Sequence, residues 1–425
     1  MAPQRPPPVA MSQAAEPHPK RWKWRLEWVL QVGLEKTVGL LPGSWVFHLG
    51  GWLGGLAWHL MPQRRAVVLR NLRIAYAGEF DAATLRRIAH ASFRRTGANM
   101  FSAAHTARLP AARLREVVTI DNLELLEQAL AGGKGVVLLL AHMGNWELLS
   151  RLVHLFPPGT RTGAFYRPLN NPLLDDRVLQ RREADGTRMF SKRDNPHAVA
   201  GFLREGAVVG ILADQRVGPQ GELVEFFGRL TRCSPLPSLL ARRSKSNLLA
   251  LSLTTTGTGR WRAHFIPVAA TRTTPDCMAA LERAMRDSPE DVFWFQDRWK
   301  TYVSSDRTLH AWLGTTSSAT AKRHRALLWL TDAPPAWQLP PAWQHPEVDY
   351  EAVLAPGQSL PAWLPPATRT HPAAPEADRD TLRKLIAAID ADAVLPVDFI
   401  VACGARKALA KASRREGVPL VALYP

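Results

Sequence analysis

Residues 138–149 read LLLAHMGNWELL, and the folding of this stretch fixes the class of the whole chain. The apolar run 135–141 has the length and β-branched start of a buried parallel strand, and Met143-Gly144-Asn145 has the composition of an exit turn. From Trp146 onward the pattern is helical. His142 and Glu147 lie five residues apart, a spacing that on one continuous helix turns two side chains about 140° from each other. The pair can meet only across a strand-to-helix turn, with His142 at the carboxyl end of a strand, where open α/β sheets hold their ligands. A neutral imidazole oriented by a carboxylate is a general base near neutral pH. The same spacing also fits a histidine capped by an acid at a helix start.

On either side of this strand, segments 117–120, 162–166, 207–213, 248–254 and 261–266 predict further strands, and 85–101 and 122–131 predict helices. Strands alternating with helical stretches imply an α/β fold: a single mixed, mostly parallel sheet flanked by helices.

At 425 residues the chain can hold two domains, or one large one with appendages, and its 46% hydrophobic composition lets it bury a substantial core. Its 54 Lys and Arg against 37 Asp and Glu give a net charge of +17, which favours anionic partners: lipid headgroups, nucleic acid or an acidic protein. Cys233, Cys277 and Cys403 have neither zinc-site spacing nor an even count, which fits a reducing compartment.

Residues 1–19 form a polar, proline-rich leader without the apolar core of a secretory signal, and disorder is expected there. Residues 20–62 are expected to be a Trp-rich, membrane-associated helical segment. It opens with cations alternating with tryptophans, and residues 38–61 contain no Lys, Arg, Asp or Glu. That run is long enough to cross a bilayer. Pro42, six glycines, His48 and His59 make it a poor spanning helix, so a shallow amphipathic hairpin competes with a span, and a buried soluble helix with both. The main domain is expected over 63–314.

Four blocks inside that domain follow in a specific order. They are the His142–Glu147 turn, YRPLNNPL at 166–173, Ala213-Asp214-Gln215 with Phe226-Phe227-Gly228 beyond it, and PEDVFWFQDRWK at 289–300. Together they resemble the lysophospholipid acyltransferase superfamily, specifically the lipid A late acyltransferases that add lauroyl or myristoyl chains, over about residues 24–307. The resemblance implies a glycerol-3-phosphate acyltransferase-like fold and an acyl thioester donor, acyl carrier protein. It implies a lipid A precursor as acceptor, and a catalytic domain on the cytoplasmic side of the inner membrane. No cofactor beyond the acyl donor and no metal is expected.

A thioester is already an activated electrophile, so the chemistry asks for deprotonation of an acceptor hydroxyl and stabilisation of the charge that develops. His142 is the expected base and Glu147 the acid that fixes its tautomer. Ser150 leaves open an acyl-enzyme route. Asn145 is a substrate-binding candidate in the turn. Arg167, held on an extended segment by Pro168, suits an acceptor phosphate, or equally a salt bridge to Asp175 or Asp176. Asp214 and Gln215 end an apolar strand and could orient Arg167 or the acceptor, or Asp214 could cap a helix. Phe226, Phe227 and Gly228 are expected along the acyl groove, although paired aromatics also suit a core. The chain departs from the family at the proline-rich 229–237 and at Gln296-Asp297, where relatives often carry His and Arg. Trp294, Arg298, Trp299 and Lys300 survive, and block 289–300 is therefore expected chiefly as structural support, with phosphate contact as the secondary reading.

Beyond about residue 315 the resemblance ends. Pro-Ala-Trp occurs at Pro335, Pro341 and Pro361, and 315–376 is expected as a proline-rich linker that docks aromatics. Residues 377–425 are expected as a small α/β appendage: helix 379–391, strand 394–402, helix 405–416 and strand 418–423. Two other functions share these features: acyl transfer to another glycolipid, aminolipid or lysophospholipid, and a basic membrane-surface adaptor without catalysis. Nucleic acid is not expected as a partner, because the aromatics cluster in apolar stretches rather than along a basic groove.

Overall fold

The computed structural model describes residues 21–424 apart from 192–193, 302, 304–306, 316 and 405. The expected leader 1–19 lies outside the described residues. The main sheet has seven strands: β1 (Val118–Asp121), β2 (Val136–Leu140), β3 (Thr162–Tyr166), β4 (Arg188–Ser191), β5 (Val208–Leu212), β8 (Asn247–Gly257) and β9 (Arg260–Pro267). A separate antiparallel hairpin is made by β6 (Glu222–Phe226) and β7 (Arg229–Cys233). The order β1-β9-β8-β2-β5-β3-β4 is parallel except where β8 meets β9.

β2 is buried along its whole length because both faces of the sheet are covered. Val137, Leu139 and Ala141 point into a cluster with Leu72, Phe93, Met278 and Leu281. Val136, Leu138 and Leu140 point into a second with Leu126, Leu148 and Leu152. The mixed, mostly parallel α/β architecture expected from the sequence is the one observed.

Four helices open the described chain: α1 (Arg21–Val38), α2 (Gly43–Leu60), α3 (Pro62–Ala75) and α4 (Ala82–Thr106). None of the described helices is long and apolar enough to cross a membrane. The glycines of α2 serve close packing on α4: a Cβ at Gly54 would stand 2.2 Å from the Phe93 carbonyl oxygen, and one at Gly97 2.3 Å from that of Gly50. The opposite side of α2 is bare and apolar, with Trp45, Trp52 and Leu60 exposed; on α1, Trp22, Leu26 and Leu30 are exposed. α1 is held to the main domain by polar bonds, Glu35 with Arg177 and Arg181, and Glu27 with Asn171.

The C-terminal region corrects the sequence reading. Residues 315–376 are not a linker: they contribute β10 (His324–Trp329), β11 (Val348–Leu354) and β12 (Thr370–Pro372) to a second sheet. With β13 (Val397–Cys403) and β14 (Leu420–Leu423) these form an all-parallel sheet of order β12-β11-β10-β13-β14. Trp337, Trp343 and Trp363, one from each Pro-Ala-Trp, pack with Ala326 and Leu328 on one face. Helices Arg379–Ala391 and Lys407–Glu416 cover the other face through Leu382, Ile386 and Leu409. The prolines signalled a linker by composition, but their tryptophans do the work of covering helices.

Candidate active site

His142 lies two residues beyond the end of β2 and Asp214 two residues beyond the end of β5, its parallel neighbour, in which Leu140 and Leu212 are register partners. The Ala213 amide donates to the Leu140 carbonyl at 3.0 Å and extends the pairing to the strand ends. The two side chains therefore meet: His142 Nδ1 stands 2.8 Å from Asp214 Oδ1. A carboxylate oxygen accepts, so Nδ1 carries the proton and Nε2 presents its lone pair. The Gln215 side-chain nitrogen lies 3.3 Å from that Nε2. Burial works against the imidazolium, but the Asp214 carboxylate, aided by Glu147 and opposed by Arg182, holds the His142 pKa above its ordinary value.

The carboxylate on His142 is thus Asp214 and not Glu147, which corrects the expected pairing. Glu147 opens the 3₁₀ helix Trp146–Leu155 and accepts from Arg182 Nη2 at 2.6 Å and from Nε at 3.1 Å. Burial pushes the Glu147 carboxyl up, yet Arg182, assisted by Arg181, pulls it below the usual range. Glu147 acts on His142 by charge across space.

The turn itself is clamped. Gly144 has φ +56, and a Cβ there would stand 2.1 Å from the Leu253 carbonyl oxygen, so no other residue fits. Its amide donates to the Asp291 carbonyl at 2.9 Å, and the Phe293 amide donates to the His142 carbonyl at 2.8 Å. Asp291 is buried and accepts from the Thr255 amide at 2.8 Å and from Asn99 Nδ2 at 3.2 Å. Block 289–300 is the support that the sequence suggested, fastened to the backbone on which His142 stands.

Two cavities are lined by residues bonded to His142 or close to it in the chain, and His142 itself lines neither. The first, about 280 Å³, is lined by Asp214 and Gln215 together with Arg64, Arg216, Asp297, Arg298 and Lys300. The second, about 150 Å³, is bounded by Gly144, Asn145, Trp146 and Glu147 with Met100 and Ala103 of α4. His142 is bonded to the wall of one and continuous in the chain with the wall of the other. Asn145 is buried, donates to Thr106 Oγ1 at 3.1 Å and leaves its Oδ1 without a partner among the described residues. Ser150 donates to the Glu147 carbonyl at 3.2 Å. Among the described residues no three His, Cys, Asp or Glu side chains are grouped to hold a metal ion.

Residues 14–301, more than half of the chain, match the family described as bacterial lipid A biosynthesis acyltransferase. The chain belongs to that family. It is 23% identical over 302 residues to the lipid A biosynthesis palmitoleoyltransferase of Escherichia coli K12, covering 69% of this chain and 96% of the relative. The lauroyltransferase of the same organism is 25% identical over 294 residues, covering 67% and 93%. A phosphatidylinositol mannoside acyltransferase of Mycolicibacterium smegmatis is 28% identical over 224 residues, covering 49% and 71%. Acyl transfer is the chemistry common to these relatives.

In this member of the bacterial lipid A biosynthesis acyltransferase family, the structure gathers His142, Asp214, Gln215, Asn145 and Glu147. It does not gather the rest. Arg167, which follows β3, is exposed and lines neither cavity, while Asp175 accepts from the Leu169 amide at 2.8 Å. Phe226 and Phe227 are fully buried against Trp299, Trp294 and Tyr76 and so are core, not a groove wall. Phe227 and Gly228 both have positive φ and close the β6–β7 hairpin in two residues, the geometry that suits strand twist. Arg64, Arg182 and Arg216 were missed. Arg182 lies in a basic stretch of the helix Pro172–Glu183 that reads as a solvated face, and nothing local marks it as the partner of Glu147.

Proposed function

We propose that the protein transfers a fatty acyl chain from an acyl carrier protein thioester to a hydroxyl of a lipid A precursor, at the cytoplasmic face of the inner membrane. The observation that carries this reading is the Asp214–His142 pair beside a cavity whose wall holds Arg64, Arg216, Arg298 and Lys300. Four cations among two carboxylates suit a phosphorylated sugar headgroup.

The Nε2 of His142 takes the proton of the acceptor hydroxyl as its oxygen attacks the thioester carbonyl. The tetrahedral intermediate collapses to the ester, the carbon–sulfur bond breaks, and the imidazolium returns the proton to the departing thiolate. Asp214 keeps Nδ1 protonated and stabilises the imidazolium while it exists. Ser150 gives its hydrogen to a main-chain carbonyl, which favours direct transfer over an acyl-enzyme.

Exposed Trp22 on α1, flanked in sequence by the exposed Lys23 and Arg25, and exposed Trp45 and Trp52 on α2 favour docking of α1 and α2 on an anionic lipid surface. The net charge of +17 suits an acidic carrier protein as donor. A second reading, acylation of another glycolipid by the same residues, draws on the similarity to the phosphatidylinositol mannoside acyltransferase. Incubating the full chain with acyl carrier thioester and a panel of lipid A precursors, mannosylated lipids and lysophospholipids tests both. Ester formation on the lipid A precursor is expected, and turnover confined to another lipid would overturn the acceptor assignment.

A further inference from the structure

The family match ends at residue 301, and beyond it the chain builds the second sheet. That sheet grips α3. Arg70 donates to the Val397 carbonyl at 2.9 Å and pairs with Asp398 on β13. Arg73 pairs with Asp390 and donates to the carbonyls of Asp390 at 2.7 Å and Ala393 at 2.8 Å. Lys322 Nζ reaches the Ile74 and Ala75 carbonyls, left open at the helix end, at 3.1 and 2.9 Å.

The other face of α3 holds the active-site cavity. Asn71, fully buried, donates to the carbonyls of Trp294 at 2.8 Å and Gln296 at 2.6 Å, and accepts from the Arg298 amide at 3.3 Å. Trp294, Gln296 and Arg298 line the cavity beside Asp214, and the same segment is bonded to the His142 turn through Phe293.

A second route starts from the same carboxylate. Asp398, fully buried, also pairs with the equally buried Arg229 at the start of β7 and accepts from the Arg325 amide at 3.0 Å. Farther along β7, the Thr231 hydroxyl and the Cys233 sulfur each accept from Arg298 at 2.9 Å. Both routes end at Arg298.

We propose that Asp398 is a positioning residue for the cavity beside His142: by pairing with Arg70 and Arg229 it fixes α3 and β7, and through Asn71 and Arg298 the wall that faces the substrate. Removing its charge leaves the fully buried Arg229 guanidinium and the partly exposed Arg70 guanidinium without their carboxylate, an unfavourable state that movement relieves. Asp297 offers Arg70 an alternative: it stands in the cavity wall with Oδ1 unpartnered among the described residues. A swing of Arg70 toward Asp297 would pull on the segment that carries Phe293.

Hydrogen exchange on the full chain tests this without relying on turnover. In Asp398→Asn, amides in 289–300 and 142–147 are expected to exchange about tenfold faster while 136–140 stays protected. Arg73→Met, which loosens the same helix without leaving a buried charge, is expected to act in the same direction. Changes confined to residues 320–424, or a uniform rise that includes 136–140 in both variants, would overturn the proposal. The kinetic consequence rests on the function proposed above: acceptor KM rises in Asp398→Asn with donor KM unchanged, and Asp398→Glu recovers part of the loss. Absence of any acyl transfer by the unaltered protein would sink that function and leave the exchange result to stand alone.

Discussion

His142 and Asp214 stand at matching heights on two adjacent parallel strands, each two residues past a register pair, and their side chains close to 2.8 Å. Two strands of one sheet thus set the geometry of the base. The sheet's core, packed on both faces, keeps both strand ends in place.

The raised pKa of His142 has a direct consequence for rate against pH. A proton retained to higher pH leaves the base occupied longer, so the acid limb of kcat/KM, which reports the free enzyme, lies above the ordinary imidazole value of about 6.5. Removing the Asp214 charge takes away the interaction that holds the proton, so Asp214→Asn moves the limb to lower pH. A pH–rate profile of both proteins checks the sign, and a limb that moves upward would contradict it.

Glu147 and Arg182 share two hydrogen bonds in a largely dry setting, so their effects are coupled. Glu147→Gln and Arg182→Met are each expected to lower kcat, with the double variant little worse than the worse single. A double-mutant cycle should return a coupling of about 1–2 kcal/mol. Strict additivity would mean that the pair does not act as a unit.

Gly144→Ala must fit a methyl group against the Leu253 carbonyl while keeping a left-handed backbone. The two penalties together are expected to cost about 3 kcal/mol of stability. Denaturant unfolding measures it, and a loss below about 0.5 kcal/mol would show that the turn relaxes freely.

Trp45 and Trp52 expose their rings on the face of α2 turned away from α4. Replacing both with Ser is expected to weaken binding to anionic phospholipid vesicles on the order of tenfold or more, with thermal stability unchanged. Sedimentation with vesicles checks this, and undiminished binding would remove α2 from the contact.

The sequence carried the main fold well, because β2 is an unbroken apolar run and β5 shares its character. It placed His142 at a strand end and singled out Asp214, but assigned His142 the wrong carboxylate. Glu147 is close in sequence, whereas Asp214 is 72 residues away and becomes a neighbour only through the β2–β5 register, which no local pattern encodes. Arg167 misled because a stiff X-Pro segment fixes direction without saying what lies ahead of it. The second sheet was half legible: β13, β14 and their helices have ordinary periodicity, but β10 and β11 sit among prolines whose tryptophans supply the packing. Asp398 shows the same limit, since a carboxylate in an apolar strand announces burial without naming Arg70 and Arg229.

Single-turnover acyl transfer by His142→Ala, Asp214→Asn and Glu147→Gln, measured side by side with the unaltered chain on acyl carrier thioester and lipid A precursor, tests the central claim most directly. The account predicts no detectable transfer for the first, a fall of about a thousandfold for the second and a much smaller one for the third. A collapse in Glu147→Gln alongside near-normal transfer in Asp214→Asn would contradict it.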